Sequence, residues 1–288
     1  MASAVLDGIT TRYEVRGGGV PLLMFSPGGF DATLDKWTTI ASYARVKLLD
    51  HLSRYFRCIV FDRRETGESG GRIEAVTWAH YVRQGQGLLA HLGIPRAHVM
   101  GGCMGCSVAI AFGVAHPEST ISLLLWWPVG GAKYRSTSRH RFAEHVDFVE
   151  RQGLEAVVAL ANSSDKSFGQ DPRGGPWVAV LRRDAAFAAS FVGQDADRYA
   201  QLVTEMGRGL VDRDTSPGAE PEDLFRLAVP ALIVPGRDAT HATSAARYLE
   251  ECLPQAQYWD VPVEQQTELN AAPRVLDFLH SVGSSVTS

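Results

Sequence analysis

The sequence has no long apolar run, no excess of basic charge and few cysteines, and each shortage excludes a class of protein. Its longest apolar stretches, such as ISLLLWWPV, fall well short of the roughly 20 residues that a membrane-spanning helix needs. Lys and Arg total 28 against 32 Asp and Glu, for a net charge of −4. Neither a nucleic-acid partner nor an anionic membrane surface fits that balance, because both call for a basic excess. The four cysteines, Cys58, Cys103, Cys106 and Cys252, match no zinc-ligand spacing. Cys103 and Cys106 have the spacing of a redox pair, but the glycines around them favour a tight turn. There is no repeat and no low-complexity tract. The opening MASAVLDGITTRYEV has neither the basic nor the apolar region of a secretory signal, so a reducing, cytoplasmic setting is expected. No metal or organic cofactor is implied.

What is present is an ordinary globular composition, 45% hydrophobic and 21% charged over 288 residues, enough for one large core. Asp7-Gly8 between two alternating runs reads as a hairpin turn. PLLMF, RCIVFD, AHVMGG, ISLLLWWPV, PALIVPG and AQYWDVPV read as strands, separated by helical stretches such as TWAHYVRQGQGLLAHLGI and GCSVAIAFGVAHPE. Short apolar strands alternating with helices imply an α/β fold with a mostly parallel central sheet flanked by helices. The rhythm breaks between residues 131 and 227, which read as a helical lid or cap insertion. The expected division is a core of 1–130 and 228–288 with the insertion between.

Four stretches carry chemistry. SPGGF follows the first buried strand. FDRRETGESGG follows the second. GGCMG stands where a strand turns sharply into a helix. VPGRDATH follows a later strand. Together, and in this order, they resemble the α/β-hydrolase superfamily: its oxyanion loop, its Asp-x-Arg-Gly-x-Gly-x-Ser loop, its nucleophile elbow and its acid loop. The resemblance covers residues from about 5 to 130 and from 228 to 282. It implies that Cys103 is the nucleophile, with its glycine neighbours permitting the elbow and the helix N-terminus favouring a thiolate. It also implies that the backbone N–H groups of Met104 and of Gly28 or Gly29 form an oxyanion hole, and that Asp238 is the acid. Cys106, one turn into the helix, is expected to be packing.

The pattern then departs from the superfamily. A histidine is expected in the loop before the closing helix, but the chain reads WDVPVEQQTELNAAPRVLDFL, with Gln266 at that position and no histidine between His241 and His280. A neutral amide is no proton shuttle. A thiol depends on a base less than a hydroxyl does, so an elbow cysteine and a missing loop histidine are compatible. His241, three residues past Asp238, is the remaining imidazole. It either reaches the elbow or merely starts the next helix. Arg63, Arg64, Gln266 and Trp177 are candidates for substrate contact, though a salt-bridge set is the plainer reading of the arginine loop. His140, Arg141, His145, Arg182 and Arg183 of the insertion are further groups that could face a pocket.

The resulting expectation is a cysteine-nucleophile enzyme acting on a small-molecule ester, thioester, lactone or activated C–C bond through an acyl-enzyme. An acyltransferase, a lyase or an inactive binding protein on the same scaffold stays open, as does a homodimer.

Overall fold

The computed structural model describes residues 2–284. Asp7 and Gly8 both adopt positive φ, 49° and 71°, as a two-residue hairpin turn requires, and join β1 (Ala2–Leu6) antiparallel to β2 (Ile9–Arg16). β2 pairs antiparallel with β4 (Phe56–Phe61). From β4 onward the sheet is parallel: β3 (Val20–Phe25), β5 (Ala97–Gly102), β6 (Thr120–Trp126), β7 (Ala231–Val234) and β8 (Ala256–Tyr258) follow in the order β1-β2-β4-β3-β5-β6-β7-β8.

The central strands are apolar on both faces because both faces are covered. Alternation sends Leu23 and Phe25 to one side, where they pack with Val82, Leu88, Val108 and Leu249. Leu22 and Met24 go to the other side, with Leu49, Leu52, Val275 and Phe278. Helices Trp78–His91, Met104–Ala115 and Thr243–Cys252 thus lie on the first face, and helices Leu48–Leu52 and Glu268–Ser284 on the second. β8 is shorter than the run AQYWDVPV suggests. It stops at Tyr258, just before exposed Asp260 and Pro262, which has no N–H to give a ladder.

Between β6 and β7 the chain is helical. Two helices come first, Ala132–Gln152 and Leu154–Ser163, divided at Gly153, whose φ is 81°. Val178–Arg183, Ala185–Val192, Ala196–Leu210 and the short Pro221–Leu224 follow. Its Phe142, Val157, Leu181, Phe191 and Val203 continue the core of the first sheet face. Of the expected core, residue 1 and residues 285–288 lie outside the described residues. No helix among the described residues is long and apolar enough to cross a membrane.

One contact ties the sheet to the site. A Cβ placed on Gly105, in the first turn of the helix after β5, would lie 2.2 Å from the Phe25 carbonyl oxygen at the end of β3. Backbone cannot yield there as a side-chain tip can. Gly105→Ala is expected to destabilise the fold by about 3 kcal/mol. Urea denaturation of the variant beside wild type measures this, and an unchanged midpoint would contradict the close approach.

Candidate active site

β5 ends at Gly102 and the next helix begins at Met104, so Cys103 must reverse the chain alone. Its backbone takes φ 55° and ψ −126°, outside the regions open to most side chains, and its N–H donates to the Trp126 carbonyl at 3.1 Å. This geometry pushes the side chain outward at the C-terminal end of the sheet, onto the wall of a cavity of about 210 Å³. Cys106, one turn on, is fully buried. Its thiol donates to the carbonyls of Gly101 and Trp126, and burial holds its pKa well above that of an ordinary thiol. Cys58 and Cys252 are likewise buried, and all four cysteines are free.

Two backbone N–H groups lie close enough to the Cys103 sulfur to favour its anion. One is the N–H of Met104, directly after it; the other is the N–H of Gly28 in the loop after β3. Gly28 has φ 118°, a conformation that disfavours side chains, and Gly29 lines the cavity beside it. Ser26, where the superfamily usually opens this loop with histidine, is buried and donates to the Phe61 carbonyl.

His241 comes from the loop after β7. Asp238 organises that loop with one carboxylate: it accepts the backbone N–H of Thr240 at 2.7 Å and of His241 at 2.8 Å. It also meets the imidazole Nδ1, which lies 2.9 and 3.0 Å from its two oxygens. Gly130, just after β6, bridges to His241 and fixes the loop against the sheet. With Nδ1 held by Asp238, Nε2 is buried without a hydrogen-bond partner, and the Cys103 sulfur acts on the ring electrostatically. The charges support one another. Burial alone would raise the thiol pKa, but the imidazole and the two backbone N–H groups outweigh it and hold Cys103 below the ordinary thiol value. Burial alone would lower the imidazole, but the sulfur and Asp238 raise it to about 9. Asp238, despite some burial, is held below the usual carboxylate range by His241 and Thr240. The arrangement favours a thiolate–imidazolium pair at neutral pH.

Gln266 is placed away from the cavity. It is fully buried. Its Oε1 accepts the Trp127 indole N–H at 2.7 Å, and its Nε2 donates to the carbonyls of Pro235 at 2.9 Å and Val261 at 3.0 Å. Trp127, itself at φ 56°, lies with its ring 5.7 Å from that of His241. The amide therefore locks the floor under the imidazole and does not contact substrate space. Trp177 also departs from expectation: it is fully buried, packs on Tyr199 and donates to the Arg72 carbonyl. Arg64 is committed to Glu65 and Glu74. Arg63 lies behind Met104, its guanidinium 4.5 Å over the Tyr81 ring and 3.8 Å from the Met104 sulfur.

The cavity is walled by the segment between β6 and β7. Of the polar groups expected there, Arg141 lines it. His145 instead bridges the Arg173 carbonyl and the Tyr199 hydroxyl, its pKa pulled down by burial to about 4, and Arg183 donates to the carbonyls of Glu68 and Ser69. Sequence reasoning misses Tyr134, Ser138 and Phe168. The signal for the first two is spacing: Tyr134, Ser138, Arg141 and Phe142 share one face of the helix Ala132–Gln152. Phe30, Phe142 and Phe168 meet edge-to-face with ring centroids 5.2 to 5.4 Å apart and form an apolar wall opposite the sulfur.

Strand order, elbow and acid loop now stand together. Residues 21–124 match a family model described as alpha/beta hydrolase fold. The chain has the α/β-hydrolase fold. A hydrolase structure from Pseudomonas aeruginosa superposes on this chain with a TM-score of 0.63 at 20% identity, covering 96% of this chain and 97% of the other. An enol-lactonase structure from Burkholderia xenovorans gives 0.58 at 19% identity, with all of both chains covered. A dihydrolipoyllysine-residue acetyltransferase component of an acetoin cleaving system, from Cupriavidus necator, is 32% identical over 213 residues. That match takes in 72% of this chain, but the chain spans only 49% of that relative's length.

Two expectations follow. The rate of Cys103 alkylation by iodoacetamide should fall with decreasing pH through a midpoint below that of an ordinary thiol, as the thiolate is protonated. Asp238→Asn should move that fall upward by about one pH unit or more; no movement would remove Asp238 from the charge network. Gln266→Leu should destabilise the fold by about 3 kcal/mol in urea, because it strands the Trp127 N–H and two carbonyls.

Proposed function

We propose that this α/β-hydrolase-fold protein is an enzyme that forms an acyl-thioester on Cys103 from a small ester, thioester or lactone. The observation that carries the reading is the convergence on one sulfur of two backbone N–H groups and an acid-held imidazole. In the first step the Cys103 thiolate attacks the carbonyl carbon. The carbonyl electron pair moves to oxygen, where the N–H groups of Gly28 and Met104 hold it. As the tetrahedral species collapses, the bond to the leaving group breaks and the His241 imidazolium gives it the Nε2 proton. In the second step His241 takes a proton from the incoming acceptor, which attacks the thioester and releases the thiolate.

The helical segment after β6 serves as a lid in this reading, because it supplies the cavity wall that faces the sulfur. Four free thiols suit the reducing compartment expected from sequence. A second reading, transfer of the acyl group to an acceptor other than water, has support from the Cupriavidus necator relative, which bears an acetyltransferase name. The wall of Phe30, Phe142 and Phe168 also limits water at the thioester.

Brief exposure to a short-chain activated ester should yield an acyl adduct in the intact mass of wild type, with none in Cys103→Ala. The acylation rate should drop about 10²-fold in His241→Ala. Adduct lifetime with and without added thiols or amines separates the two acceptors. No adduct, with Cys103 also sluggish toward iodoacetamide, would turn the reading to ligand binding without turnover.

A further inference from the structure

We infer that the cavity is built for an acyl group that carries its own carboxylate, held by Arg141 in the electropositive field that Arg141 and Arg63 create together. The inference rests on the acyl-thioester reading for the word acyl, but its core is a statement about charge in the cavity. Of the cavity wall, Arg141 is the only Lys or Arg, and no Asp or Glu lines it. Apart from Cys103, the other polar side chains of the wall are a phenol and two hydroxyls, from Tyr134, Ser138 and Thr240. Arg141 is half-buried and has no ion pair or hydrogen bond among the described residues, although the surface around it is rich in such pairs: neighbouring Arg135 reaches Asp214, Arg139 reaches the Val211 carbonyl, and Arg151 reaches Asp147. A guanidinium turned into an apolar-walled cavity with no anion to meet is unfavourable unless a ligand supplies one.

A second, independent observation lies on the other side of the same wall. Arg63 is 2% exposed, yet its Nε and Nη1 have no hydrogen-bond partner. Its neighbours are the Tyr81 ring and the sulfur of Met104, the residue whose side chain lines the cavity and whose N–H points at Cys103. The carboxylate in its field, Glu65, makes no hydrogen bond to it. Glu65 Oε1 is taken by Arg64, and burial pushes its pKa up to about 7. Both guanidiniums act on the Tyr134 phenol at the cavity wall, which places them within electrostatic reach of one point in the cavity. The cavity, about 210 Å³, admits a chain of a few carbons or a single ring, since a cavity of about 150 Å³ accepts benzene. A dicarboxylic half-ester or a carboxylated lactone fits both the volume and the charge.

The test compares neutral and anionic probes of equal size on the whole protein. Iodoacetate and iodoacetamide alkylate the same thiolate, so the ratio of their rates at Cys103 is independent of the thiol pKa. Aryl butyrate and aryl hemisuccinate esters ask the same of acylation, and a butyrate ester with the carboxylate on the phenol places the charge on the leaving half. In wild type the hemisuccinate should acylate Cys103 at least about tenfold faster than the butyrate, and iodoacetate should outpace iodoacetamide. Arg141→Gln should bring both ratios down about tenfold, Arg141→Lys should restore part, and Lys133→Gln, exposed on the same helix, should leave them unchanged. A preference only for the ester charged on its leaving half would overturn the assignment of the carboxylate to the acyl group. Ratios near one in wild type, or ratios indifferent to Arg141→Gln, would overturn the anion site altogether. If no ester acylates Cys103, the enzymatic reading fails by itself, while the two alkylation rates still decide whether the cavity prefers an anion.

Discussion

The site depends on how closely one helix start can approach one strand end. Gly105 lies against the Phe25 carbonyl, and a Cβ at Gly101 would sit 2.3 Å from the Gly105 carbonyl. With both sides of the turn compressed to bare backbone, the chain has a single residue in which to turn from strand to helix. Cys103 absorbs that turn in its own dihedral angles. Its side chain then has one direction open to it, outward, and the N–H of Met104 stands next to it as an unpaired donor of the first helical turn. The loop after β3 is carried to the same point because Phe25 is both the neighbour of Gly105 and the last residue before Ser26, Pro27 and Gly28.

A second constraint explains why the imidazole is where it is. A histidine in the loop before the closing helix would have to present a ring nitrogen to the sulfur. Gln266 instead spends an acceptor and two donors on Trp127, Pro235 and Val261, three groups that would otherwise be buried unpaired. This converts the loop into a brace. Trp127, pinned by that brace, forms the surface on which His241 rests. The β7 loop closes on itself through Asp238 and delivers the ring from a different direction.

Much of this was legible in the sequence, for reasons that can be located. Strand runs such as PLLMF and the Asp7-Gly8 turn are local signals, and the sheet follows them. Gly101, Gly102, Cys103 and Gly105 mark the elbow because close backbone approach leaves few residue types that fit. The side of the chain on which His241 points was not legible, since a residue three past an acid on a loop can turn either way until the bridge to Gly130 is known. Arg63 and Arg64 are adjacent and chemically alike, yet one is saturated by carboxylates and the other has two unpaired nitrogens. That difference arises from Glu74 and Tyr81, both in later chain. Trp177 is a candidate for substrate contact by its place in the insertion alone; packing against Tyr199 removes it from solvent.

Asp238 and His241 are three residues apart and bonded through both side chain and backbone. Where an acid and an imidazole come from separate loops, their alignment depends on the docking of every element between them. Here the pair is a piece of local structure with almost no loop-closure entropy to overcome. Its internal geometry is set by one turn and is insulated from rearrangements of β8 and the helix Glu268–Ser284. Drift in the C-terminal part of the chain therefore reaches the pair through contacts such as Gln266 and Trp127, as a change in where it sits and not in how it is built.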